Sequence, residues 1–263
     1  MPALSLVVAG LIALTLASAR AGDWRTADRS SAGLAPLPDV DRRAVVQVYA
    51  ARAVRWRGWF AVHSWVAIKE KSADSYETMQ VVGWRLFHGH SPVVIERGVP
   101  DRKWFGATPD LLVDIRGEKA EAAIPKLRQD ARDYPYPNSY TIWPGPNSNT
   151  FVSFLLRAAP ELGIDLPPNA IGRDYLVKGR PIGWSESGTG VQVSLLGLVG
   201  ATVGLRDGIE VQALGLCFGV DFLRPALKLP IVGRIGLAAS APYRDATPAP
   251  STGSAPAVSA LTR

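Results

Sequence analysis

From Trp59 to Ile68 the chain alternates with a period of two: Phe60, Val62, Ser64, Val66 and Ile68 share one side of an extended backbone, and Ala61, His63, Trp65 and Ala67 share the other. An α-helix would scatter that pattern, so the stretch is read as a strand carrying one isolated histidine. Residues 44–49 form a β-branched run of the same kind, and residues 77–86 and 92–96 fit two further strands. Residues 118–132 give an amphipathic helix, with Pro125 expected to kink or divide it. Four prolines make residues 134–146 a loop, and a second helix fits residues 148–159, stopping at Pro160. Residues 191–223 read as one long hairpin, because two apolar strands flank Arg206-Asp207-Gly208-Ile209 and Asp-Gly is a strong type I′ turn signal. Leu196-Gly197-Leu198 returns as Leu214-Gly215-Leu216, a single echo that does not make a repeat architecture.

Strands, two helices and more strands in that order predict an α+β domain. Its antiparallel sheet packs on the helix that starts at Ser148, and a C-terminal β-hairpin extension completes it. Residues 44–237 form this single domain. Residues 22–43, rich in Ala, Ser, Pro, Asp and Arg, read as a linker, and residues 238–263, rich in Ala, Pro, Ser and Thr, as a disordered tail. Residues 3–19 carry no charge and are almost continuously apolar, which makes residues 1–21 a signal peptide or membrane anchor. Ala17-Ser18-Ala19 and Ala19-Arg20-Ala21 both fit small-x-small cleavage sites. Arg20, Arg25 and Arg29 follow the apolar run and no Lys or Arg precedes it. That asymmetry points to a cytoplasmic C-terminal side, whereas an apolar extreme N-terminus points to export.

A chain of 263 residues with 47% hydrophobic side chains can bury a substantial core. The net charge of +6 comes from dispersed basic residues, without a zinc pattern or an RNA-recognition signature, so it reads as a generic basic surface, equally attracted to an anionic membrane or cell-wall polymer, and no nucleic-acid partner is expected. The single cysteine, Cys217, excludes an intrachain disulfide and reads as a small buried hydrophobe in an apolar strand. His88 and His90, two apart, would share a face on a strand and could meet a metal there, but no carboxylate partner is evident; no metal site and no cofactor are expected. Glu186-Ser187-Gly188-Thr189-Gly190 lacks the lysine and spacing of a P-loop and reads as a flexible loop.

Asn147-Ser148-Asn149-Thr150-Phe151 follows a Pro/Gly turn and opens the apolar helix. Unpaired N–H groups there create a positive field that can activate a nucleophile and hold an oxyanion. Serine gains less from that field than cysteine, so Ser148 would need an aligned general base, for which His63 is the candidate. Glu77, Gln80 and Tyr140 are candidates to support His63. The plain alternative is that these Asn, Ser and Thr residues only cap the helix.

Two resemblances attach to these residues. Asn147-Ser148-Asn149-Thr150-Phe151 resembles the Asn-Cys-Asn-Thr-Phe motif of the desumoylating isopeptidase-like (PPPDE) proteins, and His63-Ser64-Trp65-Val66 resembles their upstream histidine strand. Those proteins belong with the permuted papain-like NlpC-type and lecithin-retinol-acyltransferase-like group. The likeness implies a permuted papain-like core, His63 as base, Ser148 as nucleophile, and Asn147 and Asn149 at the oxyanion-binding helix start. Its groove would be lined by some of Trp65, Trp84, Tyr140 and Trp143. A serine replaces the thiol such enzymes depend on, which leaves a Ser-dependent hydrolase or acyltransferase, or a pseudoenzyme that binds in the same groove; a structural envelope protein with no groove function is the third reading. Implied ligands are peptide, isopeptide, cell-wall or lipid acyl groups.

Over residues 45–237 the chain also resembles the bacterial domain-of-unknown-function family 3750. The segments that carry this are Gly145 to Phe151, Ala170-Ile171-Gly172-Arg173-Asp174-Tyr175, Gly188 to Ser194 and Leu223 to Pro230. Members begin with an apolar segment, which implies an envelope protein anchored through residues 3–19.

Overall fold

The computed structural model describes residues 26–237. The expected signal or anchor segment and the C-terminal tail lie outside the described residues. Among the described residues, two antiparallel sheets and two α-helices make an α+β architecture. The first sheet contains β1 (Val45–Arg52), β2 (Val62–Lys69), β3 (Glu77–Val81), β4 (Val93–Arg97) and β5 (Asp110–Arg116), in the order β4-β3-β2-β1-β5. β5 had no clear period in the sequence. It is recruited by pairing with β1, whose register runs from Val45 opposite Arg116 to Ala50 opposite Asp110.

Both faces of this sheet are buried. On one, Val46, Val48, Val62, Val66, Ile68 and Met79 pack against α1 (Glu118–Arg132) and α2 (Ser148–Ala158). Ala120, Ala123, Ile124, Leu127 and Ala131 supply the buried stripe of α1, which runs through Pro125 as one helix. On the other face Val45, Tyr49, Trp65, Ala67 and Trp104 form a second core. Residues 26–43 are not a free linker. Leu34 and Ala35 pack on this second core, Tyr76 donates to the Pro36 carbonyl, and Asp101 accepts hydrogen bonds from Ser31 Oγ and the Leu34 and Ala35 amides. A polar, proline-bearing strip reads as a linker in sequence because its partners lie 40 to 70 residues away. The expected strand over residues 77–86 ends at Val81, and a 3-10 helix, Gly83–His88, follows.

The expected C-terminal hairpin is instead most of a seven-stranded sheet. β6 (Ile182–Trp184), β7 (Gly190–Leu195), β8 (Val199–Gly204), β9 (Gly208–Ala213), β10 (Leu216–Asp221), β11 (Ala226–Leu229) and β12 (Gly233–Gly236) lie in chain order. A turn forms between β8 and β9 at the expected place but not as type I′: Gly204 pairs with Gly208 across a three-residue loop, and Gly208 (φ 72°) has a positive φ whereas Asp207 does not. The Leu-Gly echoes are turns as well: Leu196 and Gly197 adopt φ 52° and 72°, Leu214 and Gly215 φ 52° and 82°. Apolar residues in both turns hid the breaks between strands.

This second sheet turns its polar side inward. Arg173 Nη2 donates to Glu210 at 2.9 Å and its Nε lies 3.3 Å from Glu186, while Lys228 Nζ reaches both Asp165 and Glu210 at 2.5 Å. Burial opposes charge on Arg173, but Glu186 and Glu210 beside it outweigh that and hold its pKa well above the usual value. Glu186-Ser187-Gly188-Thr189-Gly190, a turn leading into β7, is bonded into this network. Ser185 and Ser187 donate to Asp207 Oδ2, and Glu186 accepts from the Leu166 amide at 2.7 Å. Removing one member of a buried ion cluster strands the others, so Glu210→Ala should cost about 3–5 kcal/mol in urea denaturation. Glu70→Ala, which removes an exposed partner of Arg128, should cost under about 1 kcal/mol.

Candidate functional site

The N-terminus of α2 is where the sequence placed its nucleophile. Asn147 is the N-cap: its Oδ1 accepts from the Asn149 and Thr150 amides, and Thr150 Oγ1 accepts from the Asn147 amide, closing a capping box. Asn149 ties the helix to β2, accepting from Ser64 Oγ at 2.8 Å and donating to the Val62 carbonyl at 3.0 Å. Asn147 and Asn149 both donate to the Ile171 carbonyl, and Thr150 donates to that of Gly172. Three of the four polar residues are therefore structural. Ser148 is the fourth. It is 5% exposed in the first turn, and among the described residues its hydroxyl has no hydrogen-bond partner.

His63 lies elsewhere. Strand alternation sends Ser64 to the helix-covered face, where it meets Asn149, and His63 to the opposite face. There its Nε2 is 3.0 Å from Gln80 Oε1, and its ring stacks on Trp104 with centroids 3.7 Å apart and on Trp65 at 5.9 Å. Burial is the main reason its pKa falls to about 3; the Gln80 hydrogen bond opposes the shift and Arg102 adds to it. The imidazole is neutral at physiological pH. The structure thus pairs His63 with Gln80 and does not join it to Ser148 by a hydrogen bond. Of the other proposed supports, Glu77 pairs with Arg128, and the Tyr140 ring lies against Gly83, whose missing side chain leaves room for it.

The expected groove tryptophans are dispersed. Trp65 is buried and donates to the Pro100 carbonyl, and Trp143 lies beside Gly215 in the β9–β10 turn. Trp84 lines a half-open cleft of about 230 Å³ on the His63 side of the first sheet. Trp104 and Phe105 form its aromatic walls with Trp84, the three rings lying 5.1–5.7 Å apart. Gln80 forms part of the lining, and Arg29, Arg85, Arg102 and Lys103 bring four cationic groups to it against Glu96 in the lining and Asp28 behind it, which holds Lys103 Nζ at 2.6 Å. Arg29 stands over the Phe105 ring at 4.6 Å. Arg102 is held below its usual pKa, first by burial and then by the nearby Arg29 charge, with Glu96 opposing. Sequence reading missed this cleft. Its signal was Arg102-Lys103-Trp104-Phe105, two cations beside two aromatics in a turn.

His88 and His90 flank Gly89 (φ 71°) at the exposed end of the 3-10 helix, so they do not share a strand face. Among the described residues no group of three or more His, Cys, Asp or Glu is placed to hold a metal ion. Cys217 is buried, and burial, reinforced by Glu210, raises its pKa to about 12.

The family model described as Protein of unknown function (DUF3750) matches residues 43–175. The chain belongs to that family. The matched span covers the first sheet, both helices and the loop that carries Arg173, and it contains the cleft residues other than Arg29. No curated protein and no solved structure matches the chain.

Two outcomes follow, one from the start of α2 and one from His63 on β2. Asn147→Ala should lower stability by about 2 kcal/mol, because it removes a cap and two carbonyl partners, whereas Ser148→Ala should change it by less than about 0.5 kcal/mol in the same thermal melts. His63 must take up a proton when it unfolds in acid. Its folded pKa is depressed, so its contribution is present above about pH 6.5 and is lost as pH falls toward 3. Wild type should therefore lose up to about 1.4 kcal/mol per pH unit more than His63→Phe between pH 6 and 4.

Proposed function

We propose that this chain is an envelope-associated binding module on a permuted papain-like core, a pseudoenzyme in the catalytic sense, which takes an anionic ligand in the Trp84–Trp104–Phe105 cleft. One observation carries the reading: the cleft gathers three aromatic walls and four cations on the face where His63 lies, while the Ser148 helix packs on the other. A general base has to reach the proton it removes, and His63 is instead held by Gln80 beneath Trp104. The cleft chemistry suits a carboxylate- or phosphate-bearing ligand with a flat ring or sugar face to lie on Trp84, as cell-wall peptides, acidic peptides and lipid headgroups offer. Envelope association rests on the apolar residues 3–19; among the described residues no helix is long and apolar enough to cross a membrane.

Titrating tryptophan fluorescence with muropeptides, acidic peptides and organic phosphates should reveal a binder. Trp84→Ala and Arg102→Gln should each weaken it by about tenfold, and Ser148→Ala should leave it unchanged. Equal affinity in all three variants would remove the cleft from the function.

The Ser-dependent hydrolase or acyltransferase is kept as a second reading by one fact: the Ser148 hydroxyl is the polar group at the helix start that no capping bond uses. A fluorophosphonate probe that labels wild type and not Ser148→Ala would favour it. Absence of labelling in folded wild type would retire it.

A further inference from the structure

The second sheet inverts the usual rule for a sheet on a soluble domain. Polar residues Gln192, Thr202, Glu210, Gln212 and Lys228 point inward and are buried. Every outward position of β6–β11 is Ala, Val, Leu, Ile, Phe or Trp, with Val193, Val203, Val211 and Phe218 each about half or more exposed. Seven strands at ~4.8 Å spacing and ~20 Å length give an apolar face of several hundred Å², more than a solvated monomer normally shows. The hairpin tips continue it. Leu196 and Leu214 hold left-handed conformations where turns ordinarily take Gly, Asn or Asp, and both are exposed.

Charge chooses the occupant. All four acidic residues of 176–237, Glu186, Asp207, Glu210 and Asp221, are buried, while Lys178 and Arg180, just before β6, and Arg206, in the β8–β9 turn with its guanidinium donating to the Gly163 carbonyl at 2.8 Å, are exposed. A second copy laid on this face would bring one basic rim against another; a leaflet of anionic lipid would meet it with opposite charge. Strands of six residues or fewer are too short for the ~30 Å hydrocarbon layer, and β6 and β12 leave open edges, so the sheet is not a spanning barrel. We propose that the outer face of β6–β12 is a membrane-docking surface that seats in the outer acyl region of an anionic bilayer, with Lys178, Arg180 and Arg206 at the headgroups. This contact is separate from the cleft and from residues 3–19.

The test uses the full chain in a Cys217→Ala background, with a nitrobenzoxadiazole label on Phe218→Cys or Val211→Cys and a control label on Lys126→Cys of α1. Vesicles of phosphatidylcholine with or without phosphatidylglycerol carry nitroxides on their acyl chains. Because residues 3–19 could tether the protein without the sheet touching lipid, quenching at the sheet is the readout. The expected result is loss of most emission at 218 and 211, none at 126, and a several-fold weaker response when Lys178, Arg180 and Arg206 are all changed to Glu. Vesicle-bound protein with unquenched labels at both sheet positions would overturn the proposal. So would labels already shielded in a lipid-free dimer seen by light scattering, which would assign the face to a second copy.

Discussion

Asn149 and its neighbours hold the molecule together at one point. The two ends of the Asn149 amide bind Ser64 and the Val62 carbonyl on β2 and the Ile171 carbonyl on the following loop. Asn147 and Thr150 add bonds to the same loop at Ile171 and Gly172. Once that loop is fixed, Arg173 next to it is fixed too, and Arg173 is the centre of the ion cluster beneath the second sheet. The helix start therefore sets the packing of α2 on the first sheet and the docking of the second. These bonds are buried, where an unpaired amide is costly, so the arrangement is specific as well as stable.

The two sheets solve burial in opposite ways. The first packs an apolar core against each face and is closed by helices on one side and by residues 26–43 with the Trp104 turn on the other. The second buries Arg173, Lys228, Asp165, Glu186 and Glu210 together, so that each charge has an opposite partner within 4 Å. Such clusters contribute little net stability and constrain geometry strongly. With polar groups consumed inside, strand alternation leaves only apolar groups outside. The exposed apolar face is thus the other side of the same register.

That register also shapes the function. One-residue alternation on β2 gives Ser64 to the helix and His63 to the aromatic side, where Gln80 and Trp104 take up the imidazole. Resemblance of two short motifs brings His63 and Ser148 to mind as a pair. The faces of the strand favour a binding cleft beside His63, with Ser148 left as a separate, unbonded hydroxyl.

The sequence by itself determined the α+β class, the family, the strand with His63 and both helices. Each rests on local periodicity or on a motif whose chemistry is contained within a few residues, such as Asn147 capping its own helix. It also located the Asp207-Gly208 turn, because turn chemistry is local. Only the tertiary structure decided what depends on distant partners. β5 is a strand because β1 pairs with it, and residues 26–43 are ordered by Asp101 and Tyr76. Glu186 to Gly190 is tied down because Asp207 and Arg173 reach it. The number of strands after Trp184 was hidden by leucines in the turns, and the cleft by the separation of Trp84 from Trp104. A period of two says that neighbouring side chains part; which of them meets the helix is set by packing.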